Sequence, residues 1–168
     1  MAEQSAQQRA KQPRTGLAGP YGHPFHPILV TVPIGAWIAA VIFDVAAMFT
    51  AEPEAFARGA VWLTGIGIAG ALVAAVFGFL DYSQLAPETR ARRTATLHMM
   101  LNLIVTMFFI VAFMLRLAGG YEDWSITGFL LSLVGLGMLG VSGWLGGKLA
   151  YRYGVRVADE RTQGEAFR

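Results

Sequence analysis

The sequence predicts an all-α integral membrane protein, an antiparallel bundle of four transmembrane helices. Of the 168 residues, 55% are hydrophobic and only 14% are charged. The apolar residues form four stretches, each near the ~20 residues that span a ~30 Å hydrocarbon core. The segments between these stretches are short, which makes neighbouring helices antiparallel. The predicted helices cover residues 28–50, 59–80, 95–117 and 125–147.

The predicted domain boundaries follow changes in composition along the chain. Residues 1–20 are rich in Gln and have too few apolar side chains to offset the entropy lost on ordering. They predict a disordered cytoplasmic tail, residues 21–157 a single transmembrane domain, and residues 158–168 a polar C-terminal tail. The first apolar stretch is longer than the ~7–15 residues of a secretory h-region, and no cleavage site interrupts it. We therefore expect it to be a retained signal anchor.

The first helix, 28–50, contains a proline and an acid. Pro33 removes a backbone donor and predicts a kink in the cytoplasmic third of the helix. Asp44 lies about 24 Å along the helix from its start, near the outer interface. Arg116 and Arg58 are its candidate partners, because intramembrane ionisable groups usually pair. An Asp44–Arg116 pair would fix the helix register, and the alternative is a proton site.

Small residues predict the packing faces of the second and fourth helices, because close approach drives helix association in lipid. The second helix carries such a stripe at four-residue spacing, and the fourth repeats the spacing at its end. The stripe of the second helix is Gly70, Ala74 and Gly78. The fourth helix carries a looser set, Gly135, Gly140, Gly143 and Gly147, of which the last two keep the spacing. The glycine run at 143–147 lacks the Lys-Ser/Thr that follows a phosphate loop, so it predicts packing rather than nucleotide binding.

The distribution of Lys and Arg predicts the orientation. Eleven of the thirteen lie in the N-terminal tail, the second loop and the C-terminal segment, which are on one side. Only Arg58 and Arg116 fall on the other side. The positive-inside rule therefore places both termini in the cytoplasm of a bacterial inner-membrane protein. These charges suit a lipid bilayer as the partner, and a nucleic-acid partner has little support.

All three histidines fall at the predicted cytoplasmic level. His23 and His26 precede or begin the first helix, and His98 lies one turn into the third helix. Two neutral imidazoles from different helices suit b-type haem as axial ligands. Asn102 shares the helix face of His98 and is positioned to orient it. His26, His98 and Asn102 are thus a candidate haem site, with Arg90, Arg92 and Arg93 toward its propionates.

A divalent metal is an equally compatible interpretation of this level. His23, His26, Asp81 and His98 offer imidazole and carboxylate ligands, which together suit zinc, iron or manganese. The absence of cysteine excludes disulfides, thiolate zinc sites, iron–sulfur clusters and c-type haem attachment. The remaining interpretation is that these histidines sit half-solvated at the interface with no ligand.

Several segments together resemble the domain-of-unknown-function 2231 family of predicted membrane proteins, over about residues 20 to 157. The matching segments are 23–37, 43–44, His98 with Asn102, 142–147 and 151–152. The resemblance implies a four-helix bundle in a bacterial inner membrane and draws attention to His26, Asp44 and His98 without assigning a reaction. Some relatives are joined to Rieske-type iron–sulfur domains, which implies redox chemistry nearby. Tyr153 stands where the family often has His.

Three functional hypotheses follow. The leading one is a small cofactor-binding or electron-transfer membrane subunit with a membrane or redox partner protein. The alternatives are a non-catalytic assembly protein and a proton-coupled transporter that uses Asp44. Catalysis is not favoured, because the sequence shows no nucleophile with a positioned base, no paired carboxylates and no phosphate loop.

Overall fold

The computed structural model describes residues 5–120 and 122–168, and it confirms the predicted all-α membrane bundle. Four helices are long and apolar enough to cross a membrane. We number the helices in chain order and name the four spans α2 to α5. The spans are α2 (His26–Ala47), α3 (Pro53–Tyr82), α4 (Arg90–Ala118) and α5 (Ile126–Arg152). Two short helices, α1 (Ala6–Lys11) and α6 (Glu160–Glu165), lie outside the spans.

The spans extend beyond the predicted apolar windows because helix-starting residues lie outside them. Pro53 occupies the first turn of α3, where its missing N–H costs nothing. The Thr89 side chain accepts a hydrogen bond from the Arg92 backbone N–H and caps α4. In α2, the helix is interrupted at Val30, near Pro33, which has no N–H to donate to the preceding turn.

Contacts along the helices show that the bundle is antiparallel. Glycines of α3 and α5 receive side chains of α2 and α4, and a Cβ on each would lie within 3.2 Å of the neighbouring side chain. These contacts are His26 on Gly78, Phe43 on Gly59, His98 on Gly146 and Arg116 on Gly128. We call the end of the bundle that holds His26, Tyr82 and Arg90 the basic end, and the opposite end the far end.

The predicted packing stripes are only partly found. Gly70 lies against Val32, Gly78 lies against His26, and Ala74 is buried between them, so the stripe on α3 is a contact face. A Cβ on Gly143 or Gly147 would have nothing within 4 Å. The prediction for those two glycines is wrong within this chain, whereas Gly135 of the same predicted set packs against Phe109. The face of α5 that makes these contacts carries Gly128, Gly135 and Gly146.

The hairpin α2–α3 and the hairpin α4–α5 repeat one pattern of buried residues. Each buried position of α2 in this pattern recurs 72 residues later in α4, and each of α3 recurs 68 residues later in α5. In α2 and α4 these are Pro33, Trp37, Ala40 and Asp44, then Val105, Phe109, Ala112 and Arg116. In α3 and α5 they are Ala60, Thr64, Gly67 and Ala74, then Gly128, Ser132, Gly135 and Ser142.

Equivalent residues of the two hairpins contact each other along the centre of the bundle. Contact between equivalent positions is the mark of a two-fold axis. Because α2 and α4 both begin at the basic end, this pseudo-two-fold axis runs along the helices, as in membrane proteins built from parallel repeats. From the basic end to the far end, the axial pairs are His26–His98, Trp37–Phe109 and Asp44–Arg116.

The N-terminal segment differs from the predicted disordered tail where the structure describes it. Ser5 caps α1, and Ala10 packs against Leu85 and Ala95 of the bundle. The backbone N–H of Arg156 donates to the carbonyl of Ala10 at 3.0 Å. The segment is ordered because the bundle and the C-terminal segment supply apolar and polar partners that its own composition lacks. Residues 1–4 of the predicted tail lie outside the described part.

Candidate functional site

Two imidazoles meet on the pseudo-two-fold axis near the basic end. His26 begins α2 and His98 lies in α4, and both residues are half-buried. Their ring centroids are 6.4 Å apart, and their planes are perpendicular at 90°. The structure thus brings together the two histidines that the sequence assigned to a cofactor.

Each ring is held by a backbone carbonyl of the other helix in its own hairpin. His26 Nδ1 lies 2.9 Å from the Ala74 carbonyl oxygen, and His98 Nδ1 lies 2.9 Å from the Ser142 carbonyl oxygen. A carbonyl oxygen only accepts hydrogen bonds, so Nδ1 carries the proton in both rings. In the neutral imidazole this leaves the lone pair on Nε2, which is the arrangement of most metal-binding histidines.

Glycines allow the rings to reach these carbonyls. Gly78 follows Ala74 by four residues and Gly146 follows Ser142 by four, so each glycine lies on the same helix face one turn further on. A Cβ on Gly78 would lie 2.8 Å from His26 Cε1, and a Cβ on Gly146 would lie 3.2 Å from His98 Cε1. In each hairpin, a glycine at the equivalent position therefore makes room for the equivalent histidine ring.

Asn102 and Ser142 add an asymmetric network around His98. The Asn102 side-chain amide donates to the His98 carbonyl at 2.9 Å and to Ser142 Oγ at 2.7 Å. A third contact, with His98 Nε2, is longer at 3.2 Å. A fourth contact, with His98 Nδ1, is 3.4 Å. Since an amide NH₂ has two protons, the two shorter bonds use them, and both ring nitrogens are weaker partners. The expectation that Asn102 orients His98 thus has a geometric basis, with Ser142 as an additional member.

The other members of the predicted metal site lie apart. His23 is exposed, and its Nδ1 is 3.4 Å from the Tyr21 carbonyl. Asp81 forms an ion pair with Arg156, at 2.8 Å between Oδ1 and Nε. Across residues 5–120 and 122–168, no three His, Cys, Asp or Glu side chains are grouped closely enough to hold a metal ion. The geometry therefore does not assemble the set of His23, His26, Asp81 and His98.

Asp44 and Arg116 form a buried ion pair at the far end of the axis. Arg116 Nη1 and Nη2 lie 2.6 Å and 2.7 Å from the two carboxylate oxygens of Asp44, and Nη2 also donates to Ser132 Oγ at 3.2 Å. Asp44 is 0% exposed and Arg116 is 2% exposed. Arg58, the other candidate partner, instead pairs with Glu122 at 2.9 Å. The pair joins α2, α4 and α5, which fits a role in fixing register.

The basic residues predicted to face haem propionates are also engaged or exposed. The guanidinium of Arg92 lies 3.7 Å from the centre of the Tyr82 ring, and its Nη1 donates to the carbonyls of Tyr82 and Leu85 at 3.1 Å. Arg90 and Arg93 are exposed at the start of α4.

Sequence reasoning missed the repeat and the residues that depend on it. Ser142 entered only as part of the family-like segment 142–147 and Arg156 only as one of the basic residues, since each acts through a contact with a residue distant in the chain. A signal was nevertheless present in the sequence. A histidine is followed eleven residues later by a buried aromatic in both halves, as His26–Trp37 and His98–Phe109, which comparison of the chain with itself at an offset of 72 would reveal.

Comparison with known proteins identifies a family. A family model described as "Predicted membrane protein (DUF2231)" matches residues 22–159, which include all three axial pairs and Arg156. No curated protein and no solved structure matches the chain. The matched region covers the four spans and the three connections between them. The chain therefore belongs to the DUF2231 family of predicted membrane proteins.

Proposed function

We propose that this protein is a small membrane subunit that binds haem b between His26 and His98. The observation that carries the proposal is the pair of equivalent imidazoles on the pseudo-two-fold axis. In each, the Nδ1–H donates a hydrogen bond to a backbone carbonyl. Both rings therefore have a free lone pair on Nε2. They also occupy equivalent positions in the two hairpins. A cofactor on the axis with two equivalent axial ligands matches that symmetry.

The separation of the rings supports one metal centre between them. Two imidazoles that bind one iron from opposite sides place their ring centres about 6 Å apart, given metal–nitrogen bonds of about 2.0 Å. The observed separation is 6.4 Å. Ligation at Nε2 of His98 would displace only the 3.2 Å contact of Asn102 with that atom, so the two shorter bonds that hold Asn102 to α4 and α5 would be retained.

The number of ligands favours haem over a bare divalent ion. A protein-only metal site usually has three or four side-chain ligands, and the described residues bring only two imidazoles together here. Haem iron takes four nitrogens from its porphyrin, so His26 and His98 would be sufficient to hold it. When bound, such a haem supplies one-electron redox chemistry, and the chain supplies its axial imidazoles and a membrane setting.

The same proposal includes location and partners. The excess of Lys and Arg at the basic end supports a bacterial inner-membrane protein with both termini in the cytoplasm. His26 and His98 lie near that end, so an electron-transfer partner would approach from the cytoplasmic side or within the membrane. The transporter alternative is less favoured, because both carboxylate oxygens of Asp44 are bonded to Arg116.

The test is the haem content of the full chain purified in mild detergent from cells supplied with haem precursor and iron. We expect about one haem b per chain by pyridine haemochrome, with a reduced-minus-oxidised spectrum, and loss of most haem in His26→Ala and His98→Ala. His23→Ala is the matched control, because His23 is exposed and should leave haem content unchanged. A colourless protein that also takes up no added haem would reject the proposal and favour a purely structural role for the two rings.

A further inference from the structure

Arg156 has buried hydrogen-bonding capacity that the chain leaves unused. Its Nε lies 2.8 Å from Asp81 Oδ1, and its Nη2 donates to the carbonyls of Ala18 and Gly19 at 2.9 Å and 3.1 Å. Arg156 is 5% exposed, and in the described ranges neither its Nη1 nor its Nε has a hydrogen-bond partner. Asp81 Oδ1, which lies opposite Nε, has none either. A guanidinium has five N–H donors, and an unpaired buried donor is costly. Because Asp81 Oδ1 lies opposite Nε, these two groups compensate each other, and Nη1 is the donor that no acceptor of the described residues faces.

The backbone fixes this guanidinium in place. Arg156 adopts φ 59°, in the left-handed region that non-glycine residues rarely occupy. Its backbone N–H donates to the Ala10 carbonyl, so the turn is held against the N-terminal segment. The side chain then bridges that segment and the end of α3. Such a preorganised cation suits recognition of an anionic group.

Arg156 lies at the level just beyond the histidine pair. Its partner Asp81 lies three residues after Gly78, which packs against the His26 ring. Asp81 lies seven residues after Ala74, whose carbonyl oxygen accepts a hydrogen bond from His26. By the helical rise these separations are about 4.5 Å and about 10 Å along α3. The guanidinium is therefore on the basic side of the rings, within the scale of a haem from its iron to its carboxylates.

We propose that Arg156 binds a propionate carboxylate of the cofactor through Nη1. This inference rests on the proposed haem site and names its second recognition element. A carboxylate supplies the acceptor that Nη1 lacks, in a charge-assisted hydrogen bond. The assignment replaces Arg92, whose guanidinium already lies on the Tyr82 ring and donates to two carbonyls.

The test compares haem with haem dimethyl ester, which lacks the charged propionates. The full chain is purified without haem, and each compound is titrated spectroscopically to give an affinity ratio. We expect wild type to prefer haem by on the order of tenfold or more, as for loss of a hydrogen bond to a charged group. Arg156→Gln should reduce this ratio toward one, whereas Arg14→Gln, which alters an exposed arginine of the N-terminal segment, should leave it unchanged.

Two further variants separate binding from a structural role. Arg156→Lys keeps the charge with fewer donors and should give an intermediate ratio. Asp81→Asn removes the competing carboxylate and should keep or raise the ratio, whereas a merely structural ion pair predicts that Asp81→Asn and Arg156→Gln behave alike. An unchanged ratio in both Arg156 variants would overturn this inference alone. Failure of wild type to bind either compound would overturn the haem site itself, and this inference with it.

Discussion

Among single residues, two glycines allow the histidine rings to pack where they do. Gly78 makes room for His26 and Gly146 for His98, because glycine has no Cβ. A Cβ on Gly78 would lie 2.8 Å from His26 Cε1, closer than real contacts allow. The ring would have to leave the Ala74 carbonyl or the helices would have to separate. Sequence alone placed Gly78 on a packing face, but it gave no indication that the packed group is an imidazole, because that contact joins positions 52 residues apart.

Gly78→Ala should therefore destabilise the protein, by about 1–3 kcal/mol for overpacking, and lower its haem content. Gly140→Ala is the matched control, since a Cβ there meets nothing within 4 Å. We expect that control to be neutral or slightly stabilising. Thermal unfolding in detergent, followed by circular dichroism, measures both. Equal unfolding temperatures for Gly78→Ala and Gly140→Ala would contradict the packing of the His26 ring against Gly78.

The pairing of Asp44 with Arg116 was predictable, because a charged residue in a span needs a partner at its own depth. Their complete burial was not predictable, since it requires Gly128 to lie beneath the guanidinium. A Cβ at Gly128 would be 3.0 Å from Arg116 Nε. The two partners of this ion pair could thus be predicted from the sequence. Its burial could not, because it depends on how the helices pack around it.

Removing one partner should cost much more than removing both. Asp44→Asn or Arg116→Gln alone leaves an unpaired buried polar group and should destabilise by about 3–5 kcal/mol. The double variant should cost clearly less than the sum, and unfolding free energies in detergent give the coupling. As a control, Arg58→Gln at a pair with both side chains 44% exposed should cost at most about 1 kcal/mol. Strictly additive losses at Asp44 and Arg116 would show that the pair is not coupled.

At the scale of elements, the short helix α6 depends on a charged cap. Asp159 Oδ1 accepts the Thr162 backbone N–H at 2.8 Å. Hydrogen bonds from the Thr162 backbone and side chain, and then from the Tyr21 hydroxyl, lower the pKa of Asp159 below its ordinary value of 3.8. Because the pKa is lower in the folded state, the stabilisation is fully present above the ordinary value and is lost as pH falls through the lowered one.

We expect α6 to lose protection as pH falls through the lowered pKa of Asp159, while the spans stay folded. Hydrogen exchange of residues 158–168 in lipid nanodiscs, corrected for the pH dependence of intrinsic exchange, measures this. Asp159→Asn keeps a capping side chain but has no carboxyl to titrate, so its protection should vary less over the same range. Identical profiles for wild type and Asp159→Asn would exclude a role for this carboxyl.

The element boundaries show where composition is a weak guide. The apolar windows located all four spans, because a continuous run of hydrophobic residues has few alternatives in lipid. They did not locate α1, whose side chains are mostly polar and whose order comes from Ala10 on Leu85 and from Arg156. Contacts supplied by a distant part of the chain leave no mark on local composition.

At the scale of the whole molecule, the bundle is two hairpins around a pseudo-two-fold axis. Two of the axial pairs join residues of similar kind, and the third joins unlike charges, Asp44 and Arg116. Two copies of one hairpin would place Asp44 opposite Asp44, or Arg116 opposite Arg116. Like charges in a buried site are strongly unfavourable, so the pair selects the association of unlike hairpins.

A chain divided in the exposed connection between α3 and α4 should therefore reassemble. We expect fragments 1–87 and 88–168, produced together, to copurify through a tag on either one. A single fragment should not pair stably with itself, and Asp44→Asn should relieve this restriction for fragment 1–87. Copurification in detergent with size-exclusion chromatography measures both. Fragments that never associate, or that self-pair as readily as they pair together, would contradict the two-hairpin description.

Haem bound between His26 and His98 would have two imidazole ligands whose ring planes are perpendicular to each other. Electron paramagnetic resonance of the oxidised protein tests this arrangement most directly, because the signal of low-spin ferric haem depends on the angle between its two axial imidazole planes. The 90° angle predicts the highly anisotropic signal of perpendicular ligands. That signal should disappear in His26→Ala and in His98→Ala and persist in His23→Ala. A rhombic signal of parallel rings, a high-spin signal, or no haem signal would contradict the account.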